Sequence, residues 1–388
     1  MRLHLILPRV EPTKINPPSR CAYEGCPGRH FRHLQEVDKA LRDTVCPKVK
    51  ARRYECLRCK RSFRVYPQGV SRAQTSQRVY GLGVMLYLLG LSYGAVSLVL
   101  EALGVYLCKS RVYDVVQAVA ERVPGLKREA VFEGVQTPAL GGDITSVKCN
   151  GCWLPLGLTV DDTRGLVLTI DELSGEDAES LQSWLEPIAN AVGAELLVSD
   201  DADGLKIVAD ELALEHQVCK GHVERNTEAL IENLVPLVAQ DVDGSLGAIG
   251  VEPQQAVADL KRLAELIHSR QPEEEAELRT CHLRYLDAAA PAKGEKASLA
   301  YRLRLLFLDR WNLWPRLTRY RTWKGPQGQT IDGTNNGSER AIGWWIKERY
   351  RTMRGYKRTQ SAVNISRLLA WAGNHLDKGG ADLTPLIA

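Results

Sequence analysis

The sequence predicts a multidomain α/β protein, and three observations carry this prediction. A Cys- and Arg-rich N-terminal segment lacks helical periodicity, a run of strand-like segments follows from residue 140, and a long helical tract occupies much of the C-terminal half. A chain of 388 residues is long enough for two or three domains. With 44% hydrophobic and 25% charged residues, it has the composition of a globular protein with a sizeable core.

Charge is concentrated in two blocks of the chain. Residues 1–72 contain 17 Lys and Arg against 6 Asp and Glu, and residues 301–358 contain 14 against 4. The whole chain has a net charge of only +4, so the remainder is strongly acidic. Two basic blocks around an acidic middle are typical of a protein that binds a polyanion and holds cations centrally, although two solvated basic surfaces give the same pattern.

Ten cysteines in a chain of this length do not form a small disulfide scaffold, and several lie in close pairs that indicate metal binding in a reducing compartment. The N-terminal apolar run is too short for a secretory signal. Residues 79–100 contain no Asp, Glu, Lys or Arg and are numerous enough to span a bilayer. Gly90 and Ser92 nevertheless place a helix stop and an N-cap in their middle, which favours two separate helices.

Two cysteine pairs predict a zinc ribbon in residues 1–72. Zinc is satisfied by four tetrahedral thiolates, and each pair can lie on a tight knuckle that supplies two of them: Cys21, Cys26, Cys56 and Cys59. The four-residue spacing of the first pair leaves open that one ligand is instead Cys46, His30 or His33. Buried free cysteines are the alternative, but a segment with few large apolar residues needs a metal to fold. Basic and aromatic neighbours, including Arg52 and Arg53, favour contact with nucleic acid.

Residues 73–124 predict a helix-turn-helix. Helices are expected over 76–89, 92–103 and 109–122, with Gly104 in the turn between the last two and Ser110 as a cap. Lys109 and Arg111, at the start of the last helix, are the expected DNA contacts. A helical hairpin used only for packing is the alternative. Pro124 to Pro138 is expected to be a linker.

From residue 140 the pattern predicts a ribonuclease-H-like mixed sheet. Strands over 140–148 and 153–160 flank the pair Asn150-Gly151, a strong hairpin signal, and a third strand is expected over 166–170. A helix over 175–191, a strand over 195–199, a helix from Gly204 and a strand near Gln217 follow. In such a sheet the first and fourth strands are neighbours. Residues 221–320 read as helices broken at 271–275 and 288–296, and a last helical region covers 336–375.

Three acidic residues occupy the positions at which such a sheet can bind divalent cations. Asp143 stands in the first strand, Asp200 ends the fourth, and Glu339 lies in the first turn of a late helix with an Asn/Ser-rich start. Hard carboxylate oxygens suit Mg²⁺ or Mn²⁺, and two such ions can activate a hydroxyl and stabilise a leaving oxygen. Asp143 has the least distinctive surroundings, so Asp161 and Asp162 at the end of the second strand remain alternatives. A lone acidic residue is more often a solvated surface group.

Three motifs resemble bacterial insertion-sequence DDE transposases of the Mutator-like superfamily. They are Ser199-Asp200-x-Ala-x-Gly204-Leu-Lys206, Gln217-x-Cys219-x-x-His222-x-x-Arg225-Asn226 and Thr334-Asn335-Asn336-x-x-Glu339-Arg340. The resemblance covers most of residues 140–226 and 331–358, whereas the front end is more similar to that of other insertion-sequence transposases.

That resemblance implies a fold, a reaction and a set of site residues. It implies a ribonuclease-H-like core interrupted by an all-helical insertion, with Asp143, Asp200 and Glu339 as the metal-binding catalytic triad. Cys219 and His222 would then be a structural motif near the active site; a zinc site that they form with Cys149 and Cys152 is a less favoured interpretation. The implied activity is cleavage of transposon ends and joining of the 3′-hydroxyl ends to target DNA.

The resemblance also implies partners and a location. The expected partners are double-stranded DNA, both terminal inverted repeats and target, and a second copy of the chain, with no membrane. The expected location is the cytoplasm of a prokaryote, at the nucleoid. A structure-specific nuclease and a DNA-binding regulator are the alternative functions. The expected domains are a zinc ribbon (1–72), a helix-turn-helix (73–124), a catalytic core (139–222 and 331–378) and an all-helical insertion (223–330).

The basic block around residues 302–358 contains both tryptophans and cations. Most of the tryptophans are expected in the core of the insertion, although rings interleaved with Arg can also stack on bases; the set is Trp311, Trp314, Trp323, Trp344 and Trp345. The cations are expected to contact phosphates: Arg340, Lys347, Arg349, Arg351 and Arg354.

Overall fold

The computed structural model describes residues 4–123, 136–340, 343, 347, 355–375 and 380–387. The chain forms two compact units. The first comprises Met1–Ala130, Ser146–Leu154 and Ala341–Ala388, and the second comprises Val131–Thr145 and Pro155–Arg340. These units divide the chain at the tip of a hairpin and after Arg340, and the four functional domains expected above stay a prediction.

The first unit begins with a small antiparallel sheet. Its strands are listed in spatial order: β2 (Phe31–Ala40), β3 (Lys48–Cys56) and β4 (Ser62–Val65). A separate two-residue strand, β1 (Leu5–Ile6), pairs in parallel with β10 (Ala381–Asp382). Most side chains of β2 are exposed, and the small apolar cluster beside the sheet contains only Val10, Leu41, Val49 and Val70 at its centre. A sheet with so little apolar burial needs another source of stability.

Three helices follow in the first unit: α1 (Gln77–Leu88), α2 (Tyr93–Ala102) and α3 (Lys109–Glu121). The chain breaks between α1 and α2 at Gly90, which has a φ of +106°, and Ser92 caps α2 by accepting from the Ala95 N–H at 3.2 Å. The expected division of residues 79–100 into two helices is therefore observed. Among the described residues, no helix combines the length and apolar character needed to cross a membrane.

The start of α3 differs from the expectation. Ser110 is the second residue of the helix, the capping position is held by Cys108, and no side chain makes a capping hydrogen bond there. The helix is instead fixed by its buried face and by a further helix of the same unit, Thr359–Asn374. Tyr113 Oη lies 2.8 Å from Ser361 Oγ, and Asn364 Nδ2 donates to Gln117 Oε1 at 3.2 Å. The last described helix is Thr384–Ile387.

The second unit is built on a mixed five-stranded sheet. Its spatial order is β7 (Leu166–Glu172), β6 (Cys152–Asp161), β5 (Ala139–Cys149), β8 (Leu196–Ser199) and β9 (Glu215–Val218). The β5–β6 turn at Asn150 and Gly151 has positive φ at both residues, as a tight hairpin requires. β8 pairs in parallel with both β5 and β9. The first and fourth strands of the unit are therefore neighbours, as the sequence predicts.

Helices α4 (Ala178–Val192) and α5 (Asp203–Glu211) bury their apolar sides against this sheet. The tip of the β5–β6 hairpin belongs to the first unit, where Tyr356 bonds it from both sides. Asn150 N donates to Tyr356 O at 2.7 Å, and Tyr356 N donates to Lys148 O at 2.9 Å.

A helical segment follows β9 and has a core of its own. Its helices are α6 (Lys220–Ala239), α7 (Ser245–Ala248), α8 (Pro253–Ser269), α9 (Glu275–Arg284) and α10 (Leu299–Thr322), with a 3₁₀ turn at Pro272–Glu274. The core of this segment includes Leu260, Leu303, Phe307 and Trp314, all essentially inaccessible to solvent. The short helix α11 (Asn336–Arg340) ends the second unit.

Candidate active site and metal centre

Asp143 stands in β5, and Asp200 directly follows the end of β8, the parallel neighbour of β5. The register pairs Leu140 with Leu197 and Gly141 with Val198. Asp143 comes two residues after Gly141, and Asp200 comes two residues after Val198, just beyond the last residue of β8. Neighbouring strands are separated by about 4.8 Å, so both aspartates belong to the same end of this strand pair.

Asp143 belongs to the same face of the sheet as Gly141. Side chains alternate along a strand, and the two residues of β5 are two positions apart. Gly141 has no side chain because α11 approaches there: a Cβ at this position would lie 3.1 Å from Ser338 Oγ and 2.4 Å from Val160 Cγ2. The glycine therefore lets the helix that carries Glu339 pack against the face that carries Asp143.

Asn335 connects the first aspartate to the glutamate. This asparagine is fully buried, and its Nδ2 donates to Asp143 Oδ2 at 3.3 Å. Its backbone carbonyl accepts from the Glu339 N–H at 2.9 Å, the first hydrogen bond of the short helix. Its Oδ1 is buried and makes no hydrogen bond. One residue thus fixes the Asp143 carboxylate and the backbone of Glu339 together.

Cationic and imidazole groups lie against Glu339. His222 Nε2 is 3.4 Å from Glu339 Oε1, and Arg225 Nη2 is 3.8 Å from the same oxygen. Both come from the first turns of α6. The Cys219 N–H at the start of this helix donates to Ser199 O at 2.7 Å, which ties the helix to the residue before Asp200. The buried Cys219 side chain makes no capping hydrogen bond, so this motif positions backbone and brings His222 to the glutamate.

The two alternative aspartates have different surroundings. Asp161 is almost fully buried and its Oδ1 accepts hydrogen bonds from Thr163 N, Thr163 Oγ1 and Arg164 N, which stabilises the turn after β6. Asp162 is half-buried. Burial, then the charges of Asp332 and Asp161, raise the pKa of its carboxyl to about 7.

The donor set at this face suits a hard divalent cation. It consists of the carboxylate of Asp143 in β5, the carboxylate of Asp200 just after β8, a third carboxylate on α11, and the buried unpartnered oxygen of Asn335. Asp143, Asp200 and Glu339 stay the predicted ligands of Mg²⁺ or Mn²⁺. Among the described residues, their oxygens do not all lie within 4.8 Å of one another.

Four cysteine sulfurs form the tight metal-ligand cluster of the first unit. The Sγ atoms of Cys21, Cys26, Cys56 and Cys59 all lie within 4.8 Å of one another. The separation is 3.7 Å between Cys21 and Cys59 and 3.9 Å between Cys26 and Cys56. Tetrahedral zinc with bonds of about 2.3 Å requires sulfurs about 3.8 Å apart. The cluster therefore fits zinc.

The shifted pKa values of these thiols indicate why a cation would stabilise the cluster. A hydrogen bond from the Arg61 backbone N–H is the main cause that lowers the pKa of Cys59 to about 6. For Cys21, the Tyr23 backbone N–H acts in the same direction, but burial and the neighbouring thiols together raise its pKa to about 12. Closely spaced sulfurs disfavour a second negative charge because thiolates repel one another, and a bound divalent cation compensates for that repulsion.

The alternative ligands lie elsewhere. Cys46 packs against the apolar cluster beside β3, and the ring of His33 lies against Tyr54 with centroids 5.4 Å apart. Across the ranges that the structure describes, the four-cysteine cluster is the one group of three or more His, Cys, Asp or Glu with ligand atoms this close. Cys149 and Cys152 belong to the first unit, where Cys149 Sγ lies 4.0 Å from Thr359 Oγ1, whereas Cys219 and His222 belong to the second.

The expected DNA contacts fall into three groups. Arg52 pairs with Glu36 at 3.3 Å and Arg53 donates to Ser62 Oγ, so both are engaged within the small sheet. Lys109 and Arg111 are exposed at the start of α3, and the Arg111 guanidinium lies 5.3 Å from the Tyr80 ring centroid. Arg340 and Lys347 are exposed. Outside the described residues lie Arg349, Arg351, Arg354, Trp344 and Trp345.

The remaining tryptophans of the basic block are core residues. Trp314 and Trp323 are buried, and Trp311 packs against the helical core while its Nε1 donates to Glu275 Oε1 at 3.1 Å. Sequence reasoning missed two functional candidates: Asn335, visible only as part of the Thr334-Asn335-Asn336 motif, and His216, which no motif marks.

Comparison with known proteins returns integrases among solved structures. No protein-family model and no curated protein matches the chain. The magnesium complex of the HTLV-2 integrase catalytic core domain, in trimeric form, is 19% identical over 33% of this chain and 84% of that chain, with a TM-score of 0.19. A chain of the simian T-cell lymphotropic virus intasome in complex with the PP2A regulatory subunit B56 gamma is 18% identical over 36% of this chain and 55% of that chain, with a TM-score of 0.20.

A third such structure is the catalytic core domain of BIV integrase. It is 13% identical over 50% of this chain and 90% of that chain, with a TM-score of 0.18. At these TM-scores the likeness adds nothing to the interpretation of the site, which depends on the pairing of β5 with β8 and on the contacts of Asn335 and His222.

Proposed function

We propose that this protein is a DDE-type DNA transposase that cleaves the ends of a mobile element and joins them to target DNA. The observation that supports the proposal is the parallel pairing of β5, which contains Asp143, with β8, after which Asp200 follows, together with the contacts by which Asn335 ties Asp143 to the helix of Glu339. Paired carboxylates with a third acid close by are the ligand set that two-metal phosphoryl transfer needs.

Asp143, Asp200 and Glu339 hold the divalent cations in this proposal. When bound, Mg²⁺ or Mn²⁺ activates the attacking water or 3′-hydroxyl and stabilises the leaving oxygen of a phosphodiester. The protein's own contribution is to hold the ligands in place. Asn335 fixes one oxygen of Asp143, the Ala202 N–H donates to Asp200 Oδ1 at 3.2 Å, and His222 lies against Glu339.

The front end supplies DNA recognition. The zinc ribbon and the helix-turn-helix of α2 and α3 would bind terminal inverted repeats, with Lys109 and Arg111 exposed for contact. Arg340 and Lys347 would contact phosphates of the DNA backbone. Two ends must be held at once, so the active form is at least a dimer on DNA. Work on chromosomal DNA in a prokaryotic cytoplasm follows from this function.

One assay tests the proposal. The protein is incubated with Mg²⁺, a duplex that carries the element's end, and a target plasmid. We expect strand-transfer products from the wild type and at least a 100-fold loss in Asp200→Ala and Glu339→Ala, because each removes a cation ligand. Asp203→Ala is the matched control: this acid is three residues from Asp200, its side chain is 92% exposed, and it pairs with Lys206 at 3.0 Å.

Other results of this assay would indicate a different function or a different cation site. Cleavage without joining identifies a structure-specific nuclease, and tight DNA binding without cleavage identifies a DNA-binding regulator. Equal losses in Asp203→Ala and Asp200→Ala would contradict the assignment of the cation site.

A further inference from the structure

We propose that Arg316 and His216 are positioning residues that hold the backbone of Asp200, so that the helical segment controls the geometry of the cation site. This inference rests on the proposed function in one respect, that Asp200 is a cation ligand. Neither residue touches the carboxylates, and both lie far from Asp200 in sequence.

A directed chain of hydrogen bonds runs from α10 to Asp200. Arg316 Nη1 lies 2.8 Å from His216 Nδ1, His216 Nε2 lies 2.9 Å from Ser199 Oγ, and Ser199 Oγ donates to Asp200 O at 2.8 Å. A guanidinium can only donate, so His216 Nδ1 must accept and the ring proton must be on Nε2. His216 then donates to Ser199, which leaves the hydroxyl proton for the Asp200 carbonyl.

The chain is shielded from water and anchored at its far end. His216 is 5% exposed and Ser199 is fully buried. Arg316 also donates to Lys206 O at 3.1 Å and to both carboxylate oxygens of Asp210 at 2.8 and 2.7 Å. Lys206 and Asp210 belong to α5, the helix that begins three residues after Asp200. Arg316 therefore braces the strand end and the following helix together.

His216 keeps one charge state across the range in which DNA enzymes work. Burial, followed by the charges of Arg316 and Lys206, lowers the pKa of its imidazole to about 3. A neutral imidazole with a fixed tautomer transmits orientation along the chain. Protonation would put a second proton on Nδ1, facing a guanidinium, and break the chain at its first link.

The hydrogen-bond chain restrains the orientation of Asp200. Its carboxylate accepts from the Ala202 N–H on one side, and its carbonyl is held by Ser199 on the other. Groups that orient a metal ligand typically change metal affinity or activity by about 10- to 100-fold when removed. The restraint here acts on the backbone of the ligand, so we expect an effect of about 10-fold, at the lower end.

The test compares two arginines of the same helix. Arg316→Gln removes the anchor, and Ser199→Ala removes the last link. Arg319→Gln is the matched control, since Arg319 is one turn further along α10 and pairs with Glu215, the neighbour of His216, at 3.3 Å. Binding of Mn²⁺ alone is measured by electron paramagnetic resonance, and the site is defined as the binding that Asp200→Ala abolishes.

We expect Arg316→Gln and Ser199→Ala to raise the Mn²⁺ dissociation constant about 10-fold, with less than 2-fold change in Arg319→Gln. ¹⁵N NMR of the His216 ring, assigned with His216→Asn, should show a protonated Nε2 in the wild type and in Arg319→Gln, and a mixture of tautomers in Arg316→Gln. Equal Mn²⁺ affinity in Arg316→Gln and Arg319→Gln would overturn the proposal, as would a protonated Nδ1 in the wild type.

The two proposals fail differently. A wild-type protein that binds Mn²⁺ through Asp200 but neither cleaves nor joins DNA refutes the transposase function, and the Mn²⁺ affinities still decide whether Arg316 positions Asp200. A protein that transposes, with identical Mn²⁺ affinity in all three variants, refutes only the positioning role.

Discussion

At the scale of single residues, the candidate site depends on buried polar side chains whose hydrogen bonds are directional. Asn335 is the clearest case, since its Nδ2 serves Asp143 while its carbonyl serves the Glu339 N–H. A hydrogen bond to a charged group contributes about 1.5–3 kcal/mol, whereas a buried unpartnered oxygen costs about 1–3 kcal/mol. Asn335 makes one such hydrogen bond and has one buried unpartnered oxygen, so the two contributions to the free energy of unfolding nearly cancel.

Asn335→Ala should therefore separate function from stability. It removes the bond to Asp143 and the unpartnered Oδ1 together, so the free energy of unfolding should change by about 1 kcal/mol or less. Metal-dependent cleavage should fall about 10-fold or more, because Asp143 Oδ2 loses the hydrogen bond from Asn335 Nδ2. Urea denaturation and cleavage rates measure the two effects. Asn336→Ala, at the exposed neighbouring position, is the control, and a large loss of stability without loss of rate would refute the positioning role of Asn335.

Asp162 makes stability depend on pH. The folded protein keeps this carboxyl protonated up to a pKa of about 7, whereas the unfolded chain releases the proton near 3.8. Its contribution to stability is therefore fully present below pH 3.8 and is lost as pH rises through 7. Asp162→Asn, which is neutral at every pH, should be more stable than the wild type at pH 8 by about 2 kcal/mol, and nearly equal to it at pH 4.

Urea denaturation at pH 4, 6 and 8 measures this difference. Asp203→Asn serves as control, because its 92% exposed side chain has no burial penalty to relieve. A stability difference for Asp162→Asn that is the same at all three pH values would contradict the interpretation.

At the scale of secondary-structure elements, local signals in the sequence predict some contacts and leave others invisible. The Asn150-Gly151 pair fixes the β5–β6 hairpin, and the apolar run before Asp200 indicates a buried strand, so the first and fourth strands of the sheet could be predicted with their acids. β2 could not be predicted in the same way, because side chains on both of its faces are mostly exposed and its polar and apolar residues do not alternate.

Contacts between distant residues explain the rest of what could not be predicted. The parallel pairing of Leu5–Ile6 with Ala381–Asp382 involves only two residues at each end of the chain, too few to leave a pattern. The bond from Arg316 to His216 joins residues 100 positions apart, and each residue alone looks like an ordinary surface or core residue. Such pairs are specified by packing in three dimensions, which single-sequence periodicity does not encode.

At the scale of the whole molecule, the two compact units contain different chemistry. The four-cysteine cluster, α1, α2 and α3 belong to the first unit, whereas Asp143, Asp200 and Glu339 all belong to the second. Residues 1–72 also contain one of the two basic blocks of the chain. Under the proposed function, recognition of DNA and phosphoryl transfer should therefore be lost separately when one unit is altered.

Removal of zinc should expose this separation. The small sheet of β2, β3 and β4 buries few apolar residues, so its fold should depend on the metal, as in other small zinc domains. Cys26→Ser should lose the zinc, about one ion per chain, and should weaken binding to end-containing duplex at least 10-fold through loss of its basic surface. Mn²⁺ binding by the second unit should change less than 2-fold.

Cys46→Ser is the matched control, because Cys46 lies outside the cluster. Zinc content by mass spectrometry, DNA binding at fixed salt and Mn²⁺ resonance distinguish the outcomes, and unchanged DNA affinity in zinc-free Cys26→Ser would show that the ribbon does not contact DNA.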